Sequence, residues 1–78
     1  MSIKDEVLSL LGETLDVGIE ELKEDKSLYE SLGVDSTEMV EVRIALKKKL
    51  GVELKDGEIT NKQTLREIIS IIESKKKL

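Results

Sequence analysis

The feature that most constrains this chain is a helix-start pattern in its middle, at Asp35. An aspartate before an apolar-periodic stretch is a strong N-cap, because its carboxylate accepts hydrogen bonds from unpaired N–H groups of the first turn. Glu38, three residues on, completes a capping box. The pair predicts a central helix from Ser36 to Leu50, ended by Gly51. Ser36 is then the first helical residue, at the positive end of the helix dipole, where a phosphate is favoured.

Apolar residues at helical spacing predict one helix on each side of the central one. The first is capped by Ser2 and ends near Leu15. The last is capped by Thr64 and runs to about Ser74, where it frays into the lysines at 75–77.

The connection over residues 16–34 is long for so small a chain. Apolar pairs can pin two short helical turns of it to the core, and these pairs are Ile19 with Leu22 and Leu28 with Leu32. Ser27 can cap the second turn, with Glu30 at the capping-box position. Tyr29 is expected to be a partly buried anchor of this connection.

A short and mobile third helix is predicted at 56–59, where Gly57 costs about 1 kcal/mol relative to alanine. The β-branched residues follow helical rather than alternating spacing, which argues against strands. We therefore expect an all-α fold, a small four-helix bundle with three longer helices, one short helix and a long first loop. Residues 1–78 are expected to form a single domain.

Composition excludes several classes of function. The chain has no cysteine and no histidine, so it lacks a thiol nucleophile, the usual general base and the commonest metal ligands. We expect no enzyme activity, no catalytic residue and no metal site. A single aromatic residue and an acidic balance argue against nucleic-acid binding. No apolar run approaches the roughly 20 residues of a membrane span and no signal-peptide pattern is present, so we expect a cytoplasmic monomer with no membrane insertion.

Charge is unevenly distributed along the chain. Residues 1–46 hold 4 basic and 12 acidic side chains, a net charge of −8, and residues 47–78 hold 9 basic and 5 acidic, a net charge of +4. The acidic half contains Ser36. This distribution favours basic partners that reach the serine by electrostatic steering.

The stretch Gly33-Val34-Asp35-Ser36, followed by an amphipathic helix with acidic residues, resembles the prosthetic-group site of acyl carrier proteins. The resemblance covers nearly the whole chain, at the family's usual length. It implies that Ser36 carries 4'-phosphopantetheine through a phosphodiester and that Asp35 is the helix cap of the motif. The terminal thiol of that group would hold acyl intermediates as thioesters for fatty-acid-like or specialised lipid or polyketide synthesis.

The resemblance also implies partners, namely a phosphopantetheinyl transferase and the acyl-transferring and chain-elongating enzymes. The residues expected to contact them lie on the central helix and are Thr37, Glu38, Glu41, Lys47, Lys48 and Lys49. An acyl chain would enter the core between apolar residues of all the helices, which are Val7, Leu11, Leu28, Leu46, Leu54, Ile68 and Ile72.

Three parts of the chain depart from the family's pattern. Thr37 stands where leucine is common, the lysines at 47–49 replace a commonly acidic helix end, and Lys62 stands where an apolar residue commonly meets the pantetheine arm. These departures indicate a specialised member. The alternatives are an unmodified helical protein-interaction module, which keeping Asp35 and Ser36 argues against, and an aminoacyl or peptidyl carrier.

Overall fold

The computed structural model describes residues 2–76, and within that range the chain is helical. Its four α-helices are α1 (Ile3–Leu15), α2 (Leu28–Leu32), α3 (Ser36–Leu50) and α4 (Leu65–Lys76), with one turn of 3-10 helix at Ile19–Glu21. Over these residues no strand forms, and the one β-type feature is an isolated antiparallel bridge between Ser27 and Thr64. The prediction of an all-α fold with three longer helices, one short helix and a long first loop is confirmed.

The helices begin at their predicted caps. The Ser27 hydroxyl accepts a hydrogen bond from the Glu30 N–H at 3.0 Å, and the Glu30 carboxylate accepts one from the Ser27 N–H at 3.3 Å. The same reciprocal arrangement opens α4, where Thr64 pairs with Glu67. These are side-chain bonds across three residues, so the local sequence is sufficient to specify them.

The prediction of a short helix at 56–59 is wrong. This segment is a turn, in which the Lys55 carbonyl accepts from the Glu58 N–H at 3.0 Å and the Glu58 carboxylate accepts from the Lys55 N–H at 2.8 Å. Gly57 has a φ of 81°, a left-handed conformation that a right-handed helix cannot continue through. The short helix of the bundle is α2, in the first connection.

The predicted end of α4 is two residues early, since the helix continues past Ser74 to Lys76. The Lys76 ammonium donates a hydrogen bond at 2.9 Å to the carbonyl of Leu50, the last residue of α3. Part of the predicted fraying is therefore replaced by a contact between two helix ends. Lys77 lies outside the described residues.

The core lies between α1, α3 and α4, with α1 packed against both of the other long helices. Its fully buried side chains include Val7, Leu11, Leu46, Leu65, Ile68 and Ile72. Of the residues predicted to line an acyl-chain path, all are in this core except Leu54, which is half-buried and packs against it. No helix among residues 2–76 combines the length and the apolar character that a membrane crossing requires.

The first connection is fixed to the start of α4. The Lys26 and Glu24 carbonyls accept hydrogen bonds from the N–H groups of Leu65 and Arg66, both at 3.0 Å. Its predicted leucine anchors are confirmed, because Leu22 and Leu28 are buried and Leu32 is partly buried.

Two predictions for the first connection are wrong. Ile19 is exposed, and 51% of Tyr29 is exposed. The tyrosine ring instead lies under the Lys62 ammonium, with Nζ 3.7 Å from the ring centroid. Helix α2 has only five residues, too few for its own periodicity to define a face, and Tyr29 meets the distant 61–62 turn through its ring and its N–H.

Candidate functional site

Ser36 is the first residue of α3, and its side chain is exposed. The preceding Asp35 has extended backbone, and its Oδ1 accepts from the Glu38 N–H at 2.8 Å. The Glu38 carboxylate in turn accepts from the Asp35 N–H at 3.1 Å. This reciprocal capping box holds the corner on which Ser36 stands. The hydroxyl is left at the positive end of a 15-residue helix, where a bound phosphate is stabilised.

Asn61 attaches this corner to the connection between α3 and α4. Its side-chain N–H donates to the Val34 carbonyl at 2.6 Å, and its own carbonyl accepts from the Tyr29 N–H at 3.0 Å. Gly33, whose φ is 69°, lets the chain turn out of α2 just before this point. One asparagine therefore ties the start of α2 and the entry to α3 to a turn far along the chain. No sequence spacing marks this residue.

A groove of about 320 Å³ opens beside Ser36. It runs between α3 and the connection to α4, and its floor and walls mix apolar with polar side chains. The lining residues are Ser36, Met39, Val40 and Arg43 on α3, and Asp56, Gly57, Ile59, Thr60 and Asn61 on the connection. A flexible group attached to the serine hydroxyl would have this groove as its nearest binding surface.

Two ion pairs hold the connection that forms one wall of the groove. The Arg43 guanidinium bonds Asp56 across the groove at 2.8 Å, and the Lys75 ammonium lies 2.6 Å from the Glu58 carboxylate on the α4 side. The hydrogen bond from Lys75 and a backbone N–H bond from Lys55 hold the pKa of Glu58 below its ordinary value of 4.5. The wall therefore has one ion-pair contact with α3 and one with α4.

The predicted partner residues divide into two groups. Thr37 and Glu41 are exposed beyond the serine and are free to meet another protein. Glu38 is not free in the same way, because its carboxylate caps Asp35. Glu38 is also only partly exposed, so it offers less surface to a partner than Thr37 or Glu41.

The lysines at 47–49 are exposed at the other end of α3, as predicted. Their charge complements the negative end of the helix dipole. Lys47 also lies 3.1 Å from the carboxylate of Glu53, although both side chains are largely solvated. Such an exposed pair contributes little, so the three lysines present a basic surface.

Two apolar residues of α3 are exposed and were not identified from the sequence. Val40 is 43% exposed and Ile44 is 50% exposed. They are four residues apart, so they form adjacent points of one face, continuous with Ser36. Both lie outside the buried stripe formed by Met39, Val42 and Leu46. Their exposure could therefore have been predicted from the sequence.

Lys62 does not meet the groove as its position in the resemblance implied. Its ammonium stacks on Tyr29 of α2, while the neighbouring Thr60 and Asn61 line the groove. An exposed cation–π contact of this kind contributes about 0.5–1 kcal/mol. No group of acidic residues suited to a metal ion occurs among residues 2–76.

The fold and the site define a small helical protein that presents a serine at a helix N-terminus beside a groove. The family described as "Phosphopantetheine attachment site" matches residues 5–72. Among curated proteins, the acyl carrier protein of Wolinella succinogenes is 36% identical over 97% of this chain and 100% of its own length. Those of Sulfurovum sp. and Campylobacter hominis are 35% and 32% identical, over 95% of this chain and 99% and 94% of their lengths.

The chain therefore belongs to the acyl carrier protein family, and its prosthetic group is 4'-phosphopantetheine. The residues present fit that group. The exposed Ser36 offers a hydroxyl at a helix N-terminus that stabilises phosphate, and the adjoining groove offers both apolar and hydrogen-bonding surface to an arm that contains methyl groups and amides.

Proposed function

We propose that this chain is an acyl carrier whose 4'-phosphopantetheine is attached to Ser36. The observation that carries the proposal is the position of this hydroxyl, exposed at the first residue of α3 beside the groove and held there by the Asp35–Glu38 capping box. When attached, the group supplies a thiol that holds acyl intermediates as thioesters. The chain itself, which lacks cysteine and histidine, does no covalent chemistry on its cargo.

The attachment step places few demands on the chain. The Ser36 oxygen bonds to the coenzyme A phosphorus that carries the pantetheine group. The pyrophosphate bond breaks, adenosine 3',5'-bisphosphate leaves, and the hydroxyl proton passes to a base of the transferase. The chain contributes the fixed position of the oxygen and the favourable dipole of α3. It acts as a single domain, as a monomer in the cytoplasm, and its cargo belongs to fatty-acid-like or specialised lipid or polyketide synthesis.

The test of attachment is an intact mass after incubation with coenzyme A and a broad-specificity phosphopantetheinyl transferase. The parent chain should gain the mass of one phosphopantetheine. Ser36→Ala should gain none, while Ser70→Ala, which changes an exposed serine of α4, should be modified like the parent. Circular dichroism establishes that both variants fold. Modification of the Ser36→Ala variant would place the arm elsewhere, and an unmodified parent would favour a helical protein-interaction module.

We propose further that α3 meets its partners in two zones. The first zone surrounds Ser36 and contains Glu41, whose carboxylate attracts basic residues of a transferase and raises its association rate. The second zone is the lysines at 47–49, eleven or more residues along the helix and so about 17 Å from the serine. That distance exceeds the Debye length of about 8 Å at physiological salt, so the second zone acts only on partners broad enough to touch it.

Charge reversals separate the two zones. Reversing the three lysines to glutamate should improve turnover by a general fatty-acid elongation enzyme and leave phosphopantetheine loading nearly unchanged. Glu41→Lys should slow loading, more at low salt than at physiological salt. Glu38 is left unchanged because its replacement would also remove the side-chain bond from Glu38 to the Asp35 N–H in the capping box. Equal loss of loading from both reversals would contradict the two-zone arrangement.

A further inference from the structure

The groove beside Ser36 contains one positive and one negative group. Of its lining residues, Arg43 and Asp56 are the ionised ones, and they bond each other across it at 2.8 Å. An apolar groove would suit an alkyl chain alone. A groove closed by an arginine and a carboxylate can instead receive an anion, provided that the arginine can leave its present partner.

The two members of this pair differ in their surroundings. The Arg43 side chain is 24% exposed, whereas that of Asp56 is 93% exposed. Asp56 is next to the left-handed turn at Gly57, so it reaches the guanidinium from the solvent side. A pair with one fully solvated member contributes little to stability, because water screens the interaction and two side chains lose their freedom. Replacement of Asp56 by another anion therefore costs little free energy.

The guanidinium has capacity for a second acceptor. The pair with Asp56 uses Nη2 and Oδ1, while a guanidinium carries several N–H donors in a fixed planar fork. That fork matches the paired oxygens of a carboxylate or a phosphate, and charge-assisted bidentate contacts are the strong ones. The pair in this structure leaves part of the fork available.

Ser36 and Arg43 are seven residues apart, about two helical turns, and so lie on nearly the same face of α3. Long helical side chains extend back toward the N-terminus of their helix. Both residues line one groove, which means that an arm attached to Ser36 lies beside Arg43 whenever it enters the groove.

We propose that Arg43 is an anion-binding residue of this groove, which exchanges the carboxylate of Asp56 for an anionic group of the attached arm or its cargo. This inference rests on the attachment of 4'-phosphopantetheine to Ser36. Two groups supply the required chemistry, the phosphodiester of the arm and a terminal carboxylate on the acyl cargo. If the second source is the anion, short acyl groups that end in a carboxylate are the preferred cargo class.

The arginines themselves provide the measurement. The chain contains two, Arg43 in the groove and Arg66 on α4, so the Nε–H region of a nitrogen-15 NMR spectrum holds one test signal and one internal control. Four forms are compared: unmodified chain, chain with the phosphopantetheine arm, and chain loaded from butyryl- or succinyl-coenzyme A. The two acyl groups have the same number of carbons, and only the succinyl group ends in a carboxylate.

A shift of the Arg43 signal in the form with the arm alone identifies the phosphodiester as the anion. A shift with succinyl but not with butyryl cargo identifies the terminal carboxylate. In both cases the Nε–H of Arg43 should exchange with water several-fold more slowly and the Arg66 signal should stay in place. A chain that mass spectrometry shows to be loaded, but whose Arg43 signal moves no more than that of Arg66 in any form, overturns the proposal.

Variants of the acidic partners give a second comparison. Asp56→Asn removes the competing carboxylate, so loading should protect the Arg43 Nε–H more strongly than in the parent. Glu53→Gln removes the carboxylate that pairs with Lys47 of α3. It is the matched control and should leave the protection of the Arg43 Nε–H unchanged. If Asp56→Asn and Glu53→Gln both give the same Nε–H protection as the parent, no anion replaces Asp56 at Arg43. Failure of the arm to attach is seen separately in the mass, and it removes the attachment proposal together with this one.

Discussion

Truncation of one core side chain tests the helix packing on which the site depends. Ile68 of α4 is fully buried in the core that joins α1, α3 and α4. Ile68→Ala removes three carbon atoms, which at about 0.8 kcal/mol for each buried methylene amounts to about 2.4 kcal/mol of lost transfer free energy. The cavity left behind adds to this, so we expect a loss of about 2–5 kcal/mol.

The total free energy of unfolding of so small a chain should lie near the lower end of about 5–15 kcal/mol. The substitution would therefore remove a large part of it and lower Tm by about 4–8 °C for each kcal/mol. Leu46→Ala on α3, at another fully buried position, should have a loss in the same range. The chain has no tryptophan, so unfolding in urea is followed by far-ultraviolet circular dichroism.

The matched control is Ile44→Ala, the same change at a residue that is half exposed on α3. Surface substitutions usually change stability by no more than about 0.5 kcal/mol, and alanine has the higher helix propensity. Ile44→Ala should accordingly leave the urea midpoint close to that of the parent. Equal midpoints for Ile68→Ala, Leu46→Ala and the parent would show that the helical faces described here are wrong.

Two further predictions concern the connection between α3 and α4. Asn61→Ala should cost about 1–3 kcal/mol, because it leaves the partly buried Val34 carbonyl without its donor, and hydrogen exchange at 33–36 should quicken; unchanged exchange would contradict the role given to Asn61. Because its partner Lys75 lowers the pKa of Glu58, the stabilisation from Glu58 is present above its ordinary pKa of 4.5 and is lost as pH falls through the lower folded value. Glu58→Gln should therefore reduce the acid dependence of unfolding in that window, and acid titrations that coincide with the parent's would refute the pairing.

The parts of the fold that the sequence could predict are those specified within a few residues. The starts of α2, α3 and α4 follow from capping pairs such as Asp35 with Glu38, three residues apart. The 56–59 segment was mispredicted because Gly57 takes a left-handed conformation, which periodicity does not reveal. Tyr29 meets Lys62, 33 residues away, a contact that no local pattern indicates.

The site shows the same division. The position of Ser36 was predictable because its cap is local. The groove was not, because its two walls come from α3 and from a distant turn, and neither Asn61 with Val34 nor Arg43 with Asp56 has any sequence spacing that marks it. The exposure of Val40 and Ile44 was within reach of the sequence, since both lie off the apolar stripe of α3.

The hydrogen bonds between the first connection and the start of α4 have a consequence for the order of events during synthesis. The carbonyls of Glu24, Lys26 and Val34 and the N–H of Tyr29 have hydrogen-bond partners in residues 61–66. A chain emerging from the ribosome therefore exposes its serine before the turn on which that serine stands has its hydrogen bonds to residues 61–66. The corner has its local capping box early but gains its long-range hydrogen bonds only after residues 61–66 have emerged, so a transferase that requires the fully bonded corner would act after that point and not on a shorter nascent chain.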